Sequence, residues 1–282
     1  ILPFLHGESL LIPNALDYFR YIRKVAPLNH LNLTSNGSRL TMELTEQILE
    51  EDLIDSFIFS IDGGDKETFE KIRLNLSYDE VRSNILYFIR RRNELGKKLP
   101  KVSIAMVTVE ENRNTRRQLV EAWKEADEVR FSVYFNWAGK LSNFERVSNK
   151  INYCERLQHY ITILSDGRVA MCCFDSEAEY AVGNLNSQSI QGVWHSEEFN
   201  RRRYQLFKRD FKNLNICSQC DYVNHPSWVT PLVRIRPYIS KNFPQLQGMA
   251  DRFYKSWLLR KRSGQQRIRE RNAHPTVNIA EN

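Results

Sequence analysis

All five cysteines of this 282-residue chain fall between positions 154 and 220, as Cys154, the adjacent Cys172-Cys173, and the Cys217-x-x-Cys220 pair. Between the first and the second lie two extended runs, 160–164 and 169–171, joined by Ser165-Asp166-Gly167-Arg168. That pattern predicts a hairpin, because glycine accepts the positive φ of a tight connection. The hairpin carries Cys172 at its far end. Cys217-x-x-Cys220 forms a turn whose two thiolates can face one metal. Thiolates drawn from three separate pieces of chain point to a metal or iron–sulfur site.

Disulfides fit this pattern poorly, since the cysteine count is odd and a chain of this length does not need staples. Zinc ribbons usually pair two C-x-x-C knuckles, and only one exists here. Iron–sulfur clusters tolerate scattered cysteines. Spacing alone leaves zinc and iron–sulfur level.

The hydrophobic fraction of 41% allows one large core or two modest ones. No run approaches the roughly 18 apolar residues of a membrane span. Residues 1–7 lack the basic and long apolar regions of a secretory signal, so a reduced, cytoplasmic setting is expected. The net charge of +7 raises the question of nucleic acid. The basic excess lies largely at 252–271, where it reads as a solvated helix face rather than a recognition surface.

Along the first half, apolar runs at 2–5, 31–34, 56–61, 101–109 and 129–135 predict strands. Helical patterns at 14–25, 44–53, 66–73, 78–95 and 115–126 alternate with them, the fourth closed by Gly96. Strands and helices in alternation with short connections predict a parallel α/β sheet with right-handed crossovers. Its chemistry should collect at the C-terminal strand ends. Those ends are small, polar or glycine-rich: His6-Gly7-Glu8-Ser9, Ser35-Asn36-Gly37, Ser60-Ile61-Asp62-Gly63-Gly64 and Asn136-Trp137-Ala138-Gly139. Beyond them the sequence predicts a linker at 141–152, the hairpin, a turn at 183–185, a helix over 189–208, and a basic helix over 246–269.

In this order the motifs resemble the radical S-adenosylmethionine (radical SAM) enzymes with a C-terminal SPASM or twitch-type auxiliary-cluster domain. His6-Gly7-Glu8-Ser9-Leu10-Leu11 is similar to the family's Gly-Glu-Pro-Leu segment, with Ser9 in place of the proline. Thr34-Ser35-Asn36-Gly37 resembles its Thr-Asn-Gly, and Ser60-Ile61-Asp62-Gly63 its fourth strand. Cys154, Gly167 with Cys172 beyond it, Gly183-Asn184-Leu185, Val193-Trp194 and Cys217-x-x-Cys220 follow in SPASM order. The resemblance implies a partial (β/α)6 TIM-barrel-like domain at 1–140 lacking its first β/α unit. A small α+β SPASM-type domain at 141–225 and a C-terminal extension at 226–282 would follow it.

The family's Cys-x3-Cys-x2-Cys loop, which holds the cluster that cleaves the cofactor, appears nowhere in the sequence. The chain is therefore expected to be a fragment that does not cleave S-adenosylmethionine (AdoMet) by itself. In complete form it would abstract a hydrogen atom from a peptide or small-molecule substrate, drawing on an electron donor. The resemblance assigns one auxiliary 4Fe–4S cluster to Cys154, Cys172, Cys217 and Cys220, with Cys173 spare or exchanging roles with Cys172. Gly7 and Glu8 would meet the methionyl amine of AdoMet, and Ser35 and Asn36 would share that rim. Ser60 and Asp62 would meet its ribose or carboxylate, Arg73 would pair with the carboxylate, and Asn136 would lie on the adenine side. Two rival readings are a zinc-stabilised binding module whose basic helix meets an acidic partner, and a barrel scaffold without chemistry.

Overall fold

Four parallel strands organise the first part of the chain, in the sheet order β1 (Asn32–Ser35), β2 (Ser56–Ser60), β3 (Lys101–Thr108), β4 (Glu128–Val133). The computed structural model describes residues 1–133, 135–140 and 154–220. The chain divides into two units, 1–134 and 135–282. In the first, strands consecutive in sequence are neighbours in the sheet, as in a winding β/α barrel. Five α-helices accompany the strands: α1 (Ala15–Val25), α2 (Met42–Glu50), α3 (Lys66–Ile72), α4 (Tyr78–Glu94) and α5 (Arg116–Ala122).

The β2 sequence shows why this layer holds. Phe57 and Phe59 stand two apart, so both point to one face. Val81, Ile85 and Phe88 recur along α4 at helical spacing and meet that face, with Phe57 edge-on to Phe88 at 5.4 Å between ring centres. Side-chain caps fix where the helices begin: Thr41 accepts from the Leu44 N–H, Asp65 from Thr68 and Ser77 from Glu80. Near the end of α4, buried Arg92 donates to Asp127 at 2.5 Å, while Asp127 also accepts from the Val102 N–H at 2.7 Å. Burial pushes the Asp127 carboxyl up, but Arg92 and that N–H outweigh it and leave the group below its ordinary value.

The expected strand at 2–5 does not form. Only the Ile1 carbonyl reaches the sheet, accepting from the Asn32 N–H at 3.0 Å. Pro3 has no N–H for a ladder, and its carbonyl instead accepts from the Ser9 hydroxyl at 2.9 Å.

The second unit is built of smaller pieces. A three-stranded antiparallel sheet, ordered β5 (Thr162–Ile163), β6 (Arg168–Ala170), β7 (Gly183–Asn184), contains the predicted hairpin. Gly167 takes φ +87° at its turn, where a Cβ would sit 2.6 Å from the Asn186 side-chain nitrogen. The predicted turn at 183–185 is instead begun by the third strand, Asn184 standing opposite Arg168. Around the sheet lie α6 (Glu155–His159), α7 (Ile190–Trp194), α8 (Glu197–Lys208) and α9 (Asn215–Gln219). The single helix expected over 189–208 is two helices. Ser189 caps α7 and Ser196 caps α8, and the second cap competes with continuation through His195. The guanidinium of Arg203 lies 4.2 Å from the Trp194 ring centre and 4.0 Å from that of Phe199, and donates to the Leu157 and Trp194 carbonyls. One side chain thus ties α8 to α6 and α7. The expected linker at 141–152 and the basic helix at 246–269 lie outside the described residues. Among those described, no helix is long and apolar enough to cross a membrane.

Candidate functional site

Two polar regions correspond to the sequence expectations, one in each unit. In the first unit the candidates at the strand ends bind largely to one another. Gly7 turns the chain at φ +80° with open space where a side chain would be. Glu8 then accepts from the Leu10 N–H at 3.2 Å and, through its other oxygen, from the Asn36 N–H at 2.7 Å. Two of the predicted rim loops are therefore joined by one carboxylate. Ser35 accepts from the Gly37 N–H and Asn36 from Ser38, each closing the turn that follows β1.

Buried Asp62 accepts from Arg73 Nε at 2.8 Å and pairs with its second nitrogen at 2.5 Å, while its other oxygen accepts from the Val107 N–H at 2.7 Å. The expected carboxylate-binding fork of Arg73 is thus turned onto Asp62. Ser60 is half-buried at the end of β2, and its hydroxyl makes no hydrogen bond among the described residues. Sequence reasoning missed Asn112. Fully buried, it donates to the Asp62 and Val107 carbonyls at 3.0 and 2.9 Å and accepts from the Val109 N–H at 2.9 Å. It locks the ends of β2 and β3 together. Its one sequence signal is an asparagine placed just past a strand.

Asn136 belongs to the second unit, where its side-chain amide donates to the Gln219 carbonyl at 2.6 Å. It sits beside the cysteine-bearing helix α9. The residues after it, Trp137, Ala138 and Gly139, take φ of +48°, +56° and +89° in succession. A Cβ on Gly139 would lie 2.7 Å from the Gln219 Cβ, so the turn packs directly against α9.

Cys154, Cys172, Cys217 and Cys220 line one cavity. Cys154 occupies the N-cap position of α6, Cys172 follows β6, Cys217 lies within α9, and Cys220 is that helix's C-cap residue. The rest of the wall is apolar (Ala138, Leu157, Met171, Phe174, Ile216) except for Arg156. Burial pushes the Cys154 thiol up and the Cys172 and Cys217 thiols well up, and the charges of the neighbouring cysteines add to the rise at Cys172 and Cys217. Ionised together, the four thiols would repel across the cavity, so a cationic centre is what makes the thiolate form tenable there. Among the described residues, no three His, Cys, Asp or Glu side chains are arranged to hold a single metal ion. Cys173 is absent from the lining. Its sulfur accepts from Arg156 at 2.8 Å.

Residues 154–221 match the family model SPASM, an iron-sulfur cluster-binding domain. This region is a SPASM domain. Among solved structures, BtrN in complex with AdoMet and 2-DOIA aligns with a TM-score of 0.50 at 19% identity, over 79% of this chain and 72% of that one. Native anSMEcpe with bound AdoMet aligns at 0.52 and 13% identity, over 87% and 82%. The same protein with bound AdoMet and Kp18Cys peptide aligns at 0.52 and 13% identity, over 87% and 84%. At these identities the likeness is one of fold alone, the fold of BtrN and anSMEcpe. A search of curated proteins found no match. The SPASM match begins at Cys154 and takes in all five cysteines.

Proposed function

We propose that this chain is part of a radical SAM enzyme, with an AdoMet-binding rim in its first unit and one auxiliary 4Fe–4S cluster in its SPASM domain. Cys154, Cys172, Cys217 and Cys220 are the proposed ligands. The observation that carries this reading is the apolar cavity lined by those four thiols and not by Cys173. Cys173, whose sulfur faces Arg156, is left outside the ligand set. When bound, such a cluster supplies one-electron chemistry.

For AdoMet, the proposed contacts are the backbone of Gly7 and Glu8, the Glu8 carbonyl being already engaged by the Leu11 N–H, and the hydroxyl of Ser60. Ser35, Asn36 and Asp62 hold the rim in shape, and Asn136 holds α9. A ligand carboxylate reaching Arg73 would have to compete with Asp62. The proposed reaction class is reductive cleavage of AdoMet followed by hydrogen-atom abstraction. BtrN with 2-DOIA and anSMEcpe with its peptide support a small molecule or a peptide as the substrate class. An electron donor is required as a partner. The sequence contains no Cys-x3-Cys-x2-Cys, so the chain by itself is expected not to turn over AdoMet.

The test is anaerobic reconstitution of the full chain with iron and sulfide. About four of each per chain are expected, together with brown colour. Alanine at Cys154, Cys172, Cys217 or Cys220 should lower retention severely, and Cys173→Ala should leave it near the parent level. Colourless protein carrying one zinc ion would overturn the cluster reading.

A further inference from the structure

We infer that Arg156 is a built-in countercharge of the SPASM cavity, raising the reduction potential of the cluster held there. This rests on the ligand set proposed above. Arg156 is the second residue of α6, two positions after Cys154, and its side chain forms part of the cavity wall. Every other wall residue is a thiol or apolar. The guanidinium is held from two sides, donating to the Cys173 sulfur at 2.8 Å and lying 4.9 Å from the centre of the Phe174 ring. The run Cys172-Cys173-Phe174 thus supplies one lining thiol and, in its next two residues, the seat of the cation.

The second cation facing this group, Arg202, lies near Cys217 but pairs with Glu198 at 2.8 Å. Arginine stays charged under all ordinary conditions. Reduction adds one electron to a centre that four thiolates already make anionic. A cation fixed in an apolar wall stabilises that reduced form more than the oxidised one, because Coulomb interactions persist in a low dielectric. Arg156 acts through the site's field and is a positioning residue rather than a ligand.

The test is a potentiometric titration of the reconstituted full chain with dithionite as electron source, followed by the EPR signal of the reduced cluster. Arg156→Gln should hold iron and sulfide like the parent. It should shift the reduced-to-oxidised ratio at fixed potential about tenfold toward the oxidised form, or about 59 mV for one electron. Arg156→Lys, which keeps the charge, should recover most of that shift. A loaded Arg156→Gln protein titrating with the parent would overturn the inference, as would an Arg156→Lys protein shifted just as far. Should Arg156→Gln fail to hold the cluster, Cys173→Ala is read instead, since it keeps the charge but removes the sulfur that anchors it. A smaller shift in the same direction is then expected, and no shift overturns the inference. A parent chain that takes up no iron and sulfide sinks the ligand reading itself, a different result from a loaded chain whose potential ignores Arg156.

Discussion

The rim of the first unit and the cavity of the second treat buried polar groups in opposite ways. At the rim, Asp62 meets Arg73 and the Val107 N–H, Glu8 meets two backbone N–H groups, and Asn112 serves two carbonyls. The cavity instead gathers acids whose ionised form burial disfavours, and sets one arginine beside them. A region satisfied from within keeps its shape alone. A region whose acids face one another across an apolar space depends on what fills that space.

The largest effect should come from stripping the proposed cluster with a chelator under air. Calorimetry of the full chain is expected to show the transition of the second unit weakened, by an amount on the order of the 10 kcal/mol typical of structural metal sites. The transition of the first unit should stay in place, and loss of both together would break the contrast.

Next in size is Asp127→Ala, which leaves the buried Arg92 charge without its carboxylate. It should destabilise the first unit by about 3–5 kcal/mol in denaturant titrations, with iron content unchanged.

The pH response should split the two regions. The Cys154, Cys172 and Cys217 thiols of the cluster-free chain titrate above their ordinary value of 9.0 in the folded state. Above about pH 9 the unfolded chain releases those protons first, so stability of the second unit is full below that pH and falls as pH rises. The carboxyls of Asp55 and Asp127 lie below their ordinary value of 3.8. Their contribution to the first unit is full above that pH and is lost as pH falls below it. Melting curves at pH 3, 7 and 10 (chosen to bracket these limits) should therefore weaken the first unit at the acid end and the second at the alkaline end. A cluster-free second unit equally stable at pH 7 and 10 would contradict the buried thiols.

The smallest effects sit side by side in the left-handed turn. Gly139→Ala places a methyl against Gln219 and should destabilise the second unit by about 2 kcal/mol, loosening iron retention with α9. Ala138→Gly relieves about 1–2 kcal/mol of left-handed strain and gives up about 0.8 kcal/mol of buried methyl, for a net gain of roughly 0.2–1.2 kcal/mol. Thermal shifts of opposite sign are the expected readout.

Much of this was legible in the chain itself, and for local reasons. The Phe57-Ile58-Phe59 run and the Asp166-Gly167 turn each act within a few residues, and each element formed close to where the pattern puts it. The turn expected at Cys217-x-x-Cys220 is instead the end of a short helix, α9, with Cys217 inside it and Cys220 at its C-cap. The failures came where a competing local bond won: Pro3 offers no ladder donor, and Ser196 caps a new helix rather than extending an old one. Arg156 and Asn112 were invisible because their partners, Cys173 and Asp62, lie 17 and 50 positions away. Arg73 was read as a ligand-binding arginine, and only the folded chain shows Asp62 under its fork.

The four cavity thiols come from three places, and two of them, Cys217 and Cys220, belong to the last helix of the described domain. During synthesis, Cys154, Cys172 and Cys173 leave the ribosome long before α9 does. With the proposed ligand set, the cluster can be completed only after translation has passed position 220. A polypeptide ending at Lys208 is expected to retain no iron, however well its hairpin has formed.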